Sequence, residues 1–476
     1  MSPQNNAEGG RLTVSRFLAT LLFGILAYAG WARSGIYPPW QWPMLSASVF
    51  LLGGLFYPGD PSARTRRRAV LLDPIFYFGA AFILLLGLQL ADSGYLVMWD
   101  AVSEAGMNNP PPRWLPWSVE PTAASWMFNW FVPAWAVLLA VRHGIERTDL
   151  LLLLYLMVWN AMLMAVVALV QVGVGAPRML GLWEIPGDDF FGTFGYVNHA
   201  GTWFYLHAAL AAGLAHFALR RRLPAVQVVV WCAAFLLCLA AAFLTLSRAA
   251  ALAGAILVTA VFIRLCAWAW KQSRGGRIIN AVGLACIIGL FGAVLYFGAG
   301  GGRLAEEIRT TFFGEQFVQT VEGRTLQLPG ALEIAADYPL FGCGGWGYRW
   351  VALLHIPVEE WPQWQNTTGR ANIHCDPLQF LVEFGGVGVL LMGLVVGILA
   401  AAAARSRHAR ALRNWIGLGL LLVFLHSWVD LPFRCPAILL AWCTLIAAAA
   451  RLPDRGWGWT PEEYRDTTSK QNLKSG

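Results

Sequence analysis

The sequence divides into repeated apolar stretches, each close to the ~20 residues that carry an α-helix across a bilayer. That feature narrows the choice of fold before any motif is considered. Lipid offers no partner to backbone N–H and C=O groups, so a chain with many such stretches folds as a bundle of transmembrane helices or not at all. Composition agrees. Of 476 residues 57% are hydrophobic and 13% charged, about half the charged share of an ordinary soluble domain. The apolar runs predict helices at about 14–32, 41–57, 69–91, 122–141, 149–173, 198–219, 225–245, 250–269, 278–298, 378–404, 412–429 and 435–450. The expectation is an all-α polytopic membrane protein of about twelve transmembrane helices, with one large, partly helical periplasmic loop at about 299–376.

The placement of charge gives the orientation. A net charge of +7 can point to nucleic acid. Here the basic residues fall in short clusters between apolar runs, the arrangement that orients a membrane protein, and no nucleic-acid partner is expected. With twelve spans, PGDPSARTRRR (58–68), RHGIERT (142–148), RRRLP (220–224), KQSRGGR (271–277) and RSRHARALR (405–413) share one side with both termini. That side should be cytoplasmic. The other side receives the Pro-rich 92–121 loop, WEIPGDD (183–189), the LSRAA turn (246–250), the large loop and DLPFRCP (430–436). The 24 Trp suit the membrane–water boundary. The first run follows Arg11 and Arg16 without a clear cleavage site and reads as a retained helix. The chain thus divides into residues 1–190 with the first five spans, a module at 191–450, and a cytoplasmic tail at 451–476. Contact with membrane lipids follows, and the inner membrane is the expected location.

Polar residues that could carry chemistry gather on the outer side. Arg248 lies in a turn too short for an ordinary loop and against the usual charge bias. It is either a boundary anchor or a functional cation suited to bidentate phosphate contact. His374 sits in NIHCDP (372–377) just before a span. A helix-start role, with Asp376 as cap and Pro377 in the first turn, is compatible with a second role as general base. Arg324, Arg349, Arg370 and Arg434 are further outward cations, and together they suggest an anionic ligand at the membrane boundary. For Arg349 and Arg370 a headgroup contact or surface ion pair is the simpler reading. Pro329 and Gly330 should kink the loop helix or start a new one.

Other patterns are weaker. DYPLFGCGG (337–345) resembles a phosphate loop, but no Lys-Ser/Thr follows, so no nucleotide is expected. No metal is expected either, since apart from Cys375 no second ligand stands at the right spacing from His374. Of the 8 Cys, Cys232, Cys238, Cys266, Cys286 and Cys443 read as apolar fillers within spans. Cys343, Cys375 and Cys435 face outward, and Cys343 with Cys375 could form a disulfide in an oxidising compartment. Asp73, His207 and His216 read as structural.

Taken in order, these segments resemble the O-antigen ligase and polymerase superfamily. The likeness rests on LSRA at 246–249, Arg324 leading a loop helix, DYPLFGCG at 337–344, and His374-Cys375-Asp376 ahead of LQFLVEFGGVG at 378–388. GYVNHAGTWF (195–204) and HSWVDLPFRCP (426–436) are similar to the family's mid-chain and closing outer segments. Cys375 stands where the family often has Asn, and Pro329-Gly330 interrupts the Arg-led helix. The resemblance implies a GT-C-like membrane glycosyltransferase that needs no metal or other cofactor. The implied donor is a glycan on undecaprenyl diphosphate, and the implied acceptor a hydroxyl on another glycan, on lipid A-core or on protein. His374 and Arg248 would be catalytic, and Arg324, Arg434, Asp376 and Asn198 would bind diphosphate or glycan. A polymerase extending a lipid-linked chain is the alternative within the family. A transporter is a third reading, weakened by spans without paired carboxylates or broken-helix repeats.

Overall fold

The computed structural model describes residues 13–59, 61–94, 96–100, 104–107, 114–184, 190–269, 310, 327–355, 372–405 and 410–451. In chain order the helices are α1 Val14–Trp31, α2 Pro38–Phe56, α3 Ala63–Leu71, α4 Pro74–Ala91, α5 Pro121–Leu139, α6 Arg147–Gly173, α7 Val197–Arg221, α8 Ala225–Leu244 and α9 Arg248–Ala269. They continue with α10 Leu328–Asp337, α11 Tyr348–Val351, α12 Asp376–Arg405, α13 Arg410–His426 and α14 Pro436–Arg451. Each predicted span other than 278–298, which lies outside the described residues, coincides with a helix, except that 69–91 falls across α3 and α4. One departure from an all-helical chain is a hairpin in the Pro-rich loop, β1 Leu96–Asp100 against β2 Glu104–Met107, with Leu96 opposite Met107.

Eight helices among the described residues are long and apolar enough to cross a membrane: α1, α4, α5 with its continuation to Gly144, α6, α7, α8, α9 to Trp268, and α12. α2, α13 and α14 are not among them. Hydropathy and burial run in opposite directions. α12 has mean hydropathy 2.6 and buries 17% of its span, whereas α7 has 1.2 and buries 83%. Lipid is as apolar as leucine, so a lipid-facing helix can be uniformly apolar while the central helix is freed to carry small and polar residues. α7 does so with Ala, Gly, His, Thr and Trp, and packs between α8 and α13. α14 is likewise internal, with its residues buried from Pro436 to Ala449.

The predicted basic side is one end of the bundle. There Arg142 and His143 both reach Asp73 at 2.7 Å, and Arg16 meets Asp149 at 3.3 Å. Arg66 donates to the carbonyls of Leu55 and Tyr57 at the end of α2, and Arg451 donates to those of Val141 and Ile145. Asp73 also caps α4 through the N–H of Ile75, which splits the predicted 69–91 run into α3 and α4. Burial alone would raise the Asp73 pKa. Hydrogen bonds from His143, Ile75 and Arg142 outweigh that and hold it at about 2. The residue is structural, as expected.

At the other end, a broken helix is repaired by a turn from elsewhere in the chain. α12 changes direction at Gly385 (φ 62°, ψ −171°), which interrupts the helical bonds from the N–H groups of residues 386 and 387. Gly386 N–H donates instead to Pro339 O (2.8 Å) and Val387 N–H to Leu340 O (3.0 Å). The freed carbonyls of Val382 and Glu383 accept from Cys343 and Gly344, both at 2.9 Å. Gln89 Nε2 on α4 closes the joint by donating to Phe341 O and Glu383 O. Backbones approach so closely that a Cβ on Gly342 would lie 2.3 Å from Glu383 C, and one on Gly385 2.3 Å from Leu340 C. Both glycines have positive φ, where a side chain is strained in any case. The DYPLFGCG and EFGG segments are therefore two halves of one backbone clasp. Pro329 stands in the first turn of α10 and starts that helix, one of the two outcomes expected for it.

Candidate active site

The connections bring the first turns of α7, α9, α12 and α14 and the last turn of α13 to the clasp end. His374 precedes α12 and adopts φ 54°, a left-handed conformation that costs a non-glycine residue about 1 kcal/mol or more. Neighbours on both sides hold it there. Gln379, one turn into α12, accepts from the N–H of Ile373 (3.1 Å) and donates to Asn372 Oδ1 (3.2 Å). On the far side, the N–H of Asp376 donates to Ser427 O at 2.8 Å.

The side chain of His374 is 15% exposed and its Nδ1 lies 3.4 Å from Asp430 Oδ1, whose own side chain is 3% exposed. Asp430 stands in the α13–α14 turn as a buried hub. It accepts from Tyr196 OH at 3.0 Å, from Asn198 Nδ2, and from the N–H of Leu431 at 2.9 Å. His426 Nε2 lies 3.9 Å from its other oxygen. Asn198 also donates to Tyr196 OH (2.7 Å), so its amide is committed to fixing the hub. A carboxylate fixed beside Nδ1 orients the His374 ring and favours the tautomer that leaves Nε2 as the acceptor.

Arg248 begins α9, directly after a turn in which Leu246 has φ 55°. The turn packs on Gly201 of α7. A Cβ there would meet Ala250 Cβ at 2.5 Å and Thr245 Oγ1 at 3.0 Å. Gly201 is less than one helical turn from Asn198, so α7 carries both the Arg248 turn and the Asp430 hub. Arg248 is half-buried. Arg324 and Arg370 lie outside the described residues.

Arg434, expected to bind ligand, is engaged by carboxylates of the protein. It is 7% exposed, with Nη2 at 2.5 Å from Glu383 Oε2 and Nε at 3.8 Å from Asp376 Oδ1. Its hydrogen-bonding face is turned inward on two carboxylates. Glu383 is fully buried and also accepts from Gln379 Nε2 (2.9 Å). The clasp therefore fixes Glu383, which fixes both Arg434 and Gln379, and Gln379 braces the segment carrying His374. Asp376 is not the cap expected of it. Its Oδ2 accepts from Phe433 N–H at 2.8 Å, tying α12 to the 432–434 turn. The capping position at the start of α12 belongs to Cys375, which takes a hydrogen bond from Leu378 N–H.

Cys343 and Cys375 are both free thiols, so the disulfide considered from the sequence is not formed. Each sulfur has another place: Cys375 caps α12, and Cys343 is buried against Gly347. Burial pushes both thiols above their ordinary range. Cys435 is buried, with Sγ directed at Ser34 O. Among the filler cysteines, Cys238 and Cys443 are buried and Cys232 and Cys266 exposed, while Cys286 lies outside the described residues. Arg349 is more central than expected. Its guanidinium stacks 4.8 Å over Trp346, whose ring also faces Arg434 at 5.5 Å. Burial is the main influence lowering its pKa.

Sequence reasoning missed Asp430, Glu383, Gln379 and Tyr196 as site residues. Glu383 and Gln379 stand inside LQFLVEFGG and Asp430 inside HSWVDLPFRCP, so the segments were visible and the individual roles were not. Among the described residues no group of three or more His, Cys, Asp or Glu side chains could hold a metal ion. No curated protein matches the chain. Residues 233–393, from within α8 to within α12, match the family model described as O-antigen ligase. That match covers Arg248, the clasp and His374, and over this stretch the resemblance to the O-antigen ligase superfamily holds.

Proposed function

We propose that the chain transfers a glycan from an undecaprenyl-diphosphate carrier to an acceptor hydroxyl at the periplasmic face. The observation that carries this reading is His374 aimed by the buried Asp430 hub, on the same helix end as the Arg248 turn. His374 Nε2 takes the proton of the acceptor hydroxyl as its oxygen forms a bond to the anomeric carbon. The bond from that carbon to the phosphate oxygen breaks, and its electron pair leaves with the undecaprenyl diphosphate. Arg248 and Arg324 hold the diphosphate and stabilise the charge that develops on it, the electrostatic assistance that usually dominates such transfers. The convergent first turns of α7, α9, α12 and α14 add positive helix ends to the same place. Arg434, Asp376 and Asn198 act by positioning, since each is bonded to other groups of the protein.

Ligase and polymerase reactions share this donor chemistry and differ in the acceptor. In an inner membrane with both termini cytoplasmic, the clasp end faces the periplasm, where either acceptor is found. The test is transfer by His374→Ala and Arg248→Ala in a host that lacks the gene. Both should abolish glycan transfer at normal membrane abundance, and wild-type transfer by either ends the assignment. Loss of polymer-capped lipopolysaccharide on deletion, with lipid-linked polymer accumulating, marks a ligase. Capping by single repeat units marks a polymerase.

A further inference from the structure

A groove unrelated to His374 lies between α12, α13 and α14. Its volume is about 480 Å³, within the range of sites that hold small molecules. Small residues make the room: Ala400 and Ala403 on α12, Gly417 on α13, and Ala449 on α14. A Cβ added at Gly417 would meet nothing within 4 Å, so the space beside it is open. The groove runs along α13 from Asn414 to Phe424. At 1.5 Å per residue that is about 15 Å, half of a ~30 Å hydrocarbon core. That length matches one leaflet.

One end differs chemically from the rest. Arg413 and Asn414 line the groove where α13 begins, at the basic end of the bundle and away from the clasp. Exposed Arg405 and Arg410 flank it, and RSRHARALR (405–413) contains four arginines and no acid. Arg410 and Arg413 are three residues apart on one helix, a spacing at which like charges repel and an anion between them is favoured. Apolar walls one leaflet deep, under a cationic rim at the boundary, match an anionic headgroup with its acyl chain.

We propose that this groove binds one anionic phospholipid of the leaflet on the arginine-rich side. The acyl chain lies along Gly417 toward Phe424, and the phosphate meets Arg413 and Arg410. The test uses the full-length protein in detergent, examined by native mass spectrometry and thermal melting with phosphatidylglycerol, phosphatidylethanolamine or undecaprenyl phosphate. Phosphatidylglycerol should be retained roughly tenfold or more over phosphatidylethanolamine, the scale set by two arginines at a membrane surface. Gly417→Leu, which fills the groove, and the pair Arg410→Gln with Arg413→Gln should each remove that preference. The arginine pair is at the rim and tests the idea even if Gly417→Leu melts early. Equal retention of the two phospholipids, or a preference that survives the arginine pair, overturns the proposal. So does displacement of phosphatidylglycerol by undecaprenyl phosphate at equal concentration, which would make the groove a carrier site.

Discussion

Replacing Gly385 by alanine puts the clasp to a direct test. The added Cβ would sit 2.3 Å from both C and O of Leu340 and 2.5 Å from Phe341 N. These are backbone atoms that no rotamer change can move. The backbone at Gly385 also lies in a region essentially reserved for glycine, costing another residue about 1–3 kcal/mol. The variant relieves both by straightening α12 through residue 385. That restores two helical bonds, 386 to 382 and 387 to 383, and sacrifices the four bonds to the 339–344 turn. The net loss is two bonds, about 2 kcal/mol at ~1 kcal/mol each, or roughly thirtyfold in the opening equilibrium. Hydrogen exchange reads this with a distinctive signature. The amides of Cys343 and Gly344 should lose protection, whereas those of Gly386 and Val387 should keep theirs inside the straightened helix. Glu383 then no longer faces Arg434, and transfer activity should fall with the clasp. Gly393→Ala is the control. Nothing lies within 4 Å of a Cβ there, and exchange should be unchanged or slightly slowed. Unchanged protection at 343 and 344 in Gly385→Ala, or equal loss at all four amides, would refute the clasp.

Asp430→Asn should lower kcat by about 10²–10⁴ with little change in KM, because the amide no longer holds His374 in its base form; partial rescue by Asp430→Glu separates this positioning role from a loss of fold. Glu383→Gln leaves the buried Arg434 guanidinium without its closest partner and should destabilise by about 3–5 kcal/mol. Adding Arg434→Met should recover much of that in a thermal melt, and no recovery would show that the pair is not the cause. Asp73 has its pKa depressed to about 2, so its stabilisation is present above the unfolded value of ~3.9 and is lost as pH falls through about 2. Asp73→Asn should cost about 1–2 kcal/mol at neutral pH after allowance for screening at the membrane boundary, and its acid unfolding should be flatter than wild type between about pH 4 and 2.

The apolar helices were legible because each is a local property, a length and a hydropathy. The basic clusters on alternate links marked which described links share one end of the bundle. The clasp was visible only as two glycine-bearing segments about forty residues apart. Nothing local says that Gly342 meets Gly385, since a positive φ is imposed by the opposing backbone. Arg434 shows the limit most clearly. Its place on the outer side suggested an anion site, and only the folded chain reveals that Glu383, buried on another helix, pairs with it. Cys375 shows the converse, because a helix cap is local and could have been assigned from its place one residue before α12.

The sequence by itself determined that this chain is a helical membrane protein, which of its links share a side, and that His374 and Arg248 stand on the side away from the basic clusters. Those conclusions follow from solvation in lipid, which acts on each segment separately. The tertiary structure decided which polar groups are spent on one another and which remain for a ligand. Asp430 became the partner of His374, Glu383 that of Arg434, and Asn198 part of the hub. A buried charge or donor is satisfied by whatever the fold brings beside it, and that pairing is a property of the packed bundle.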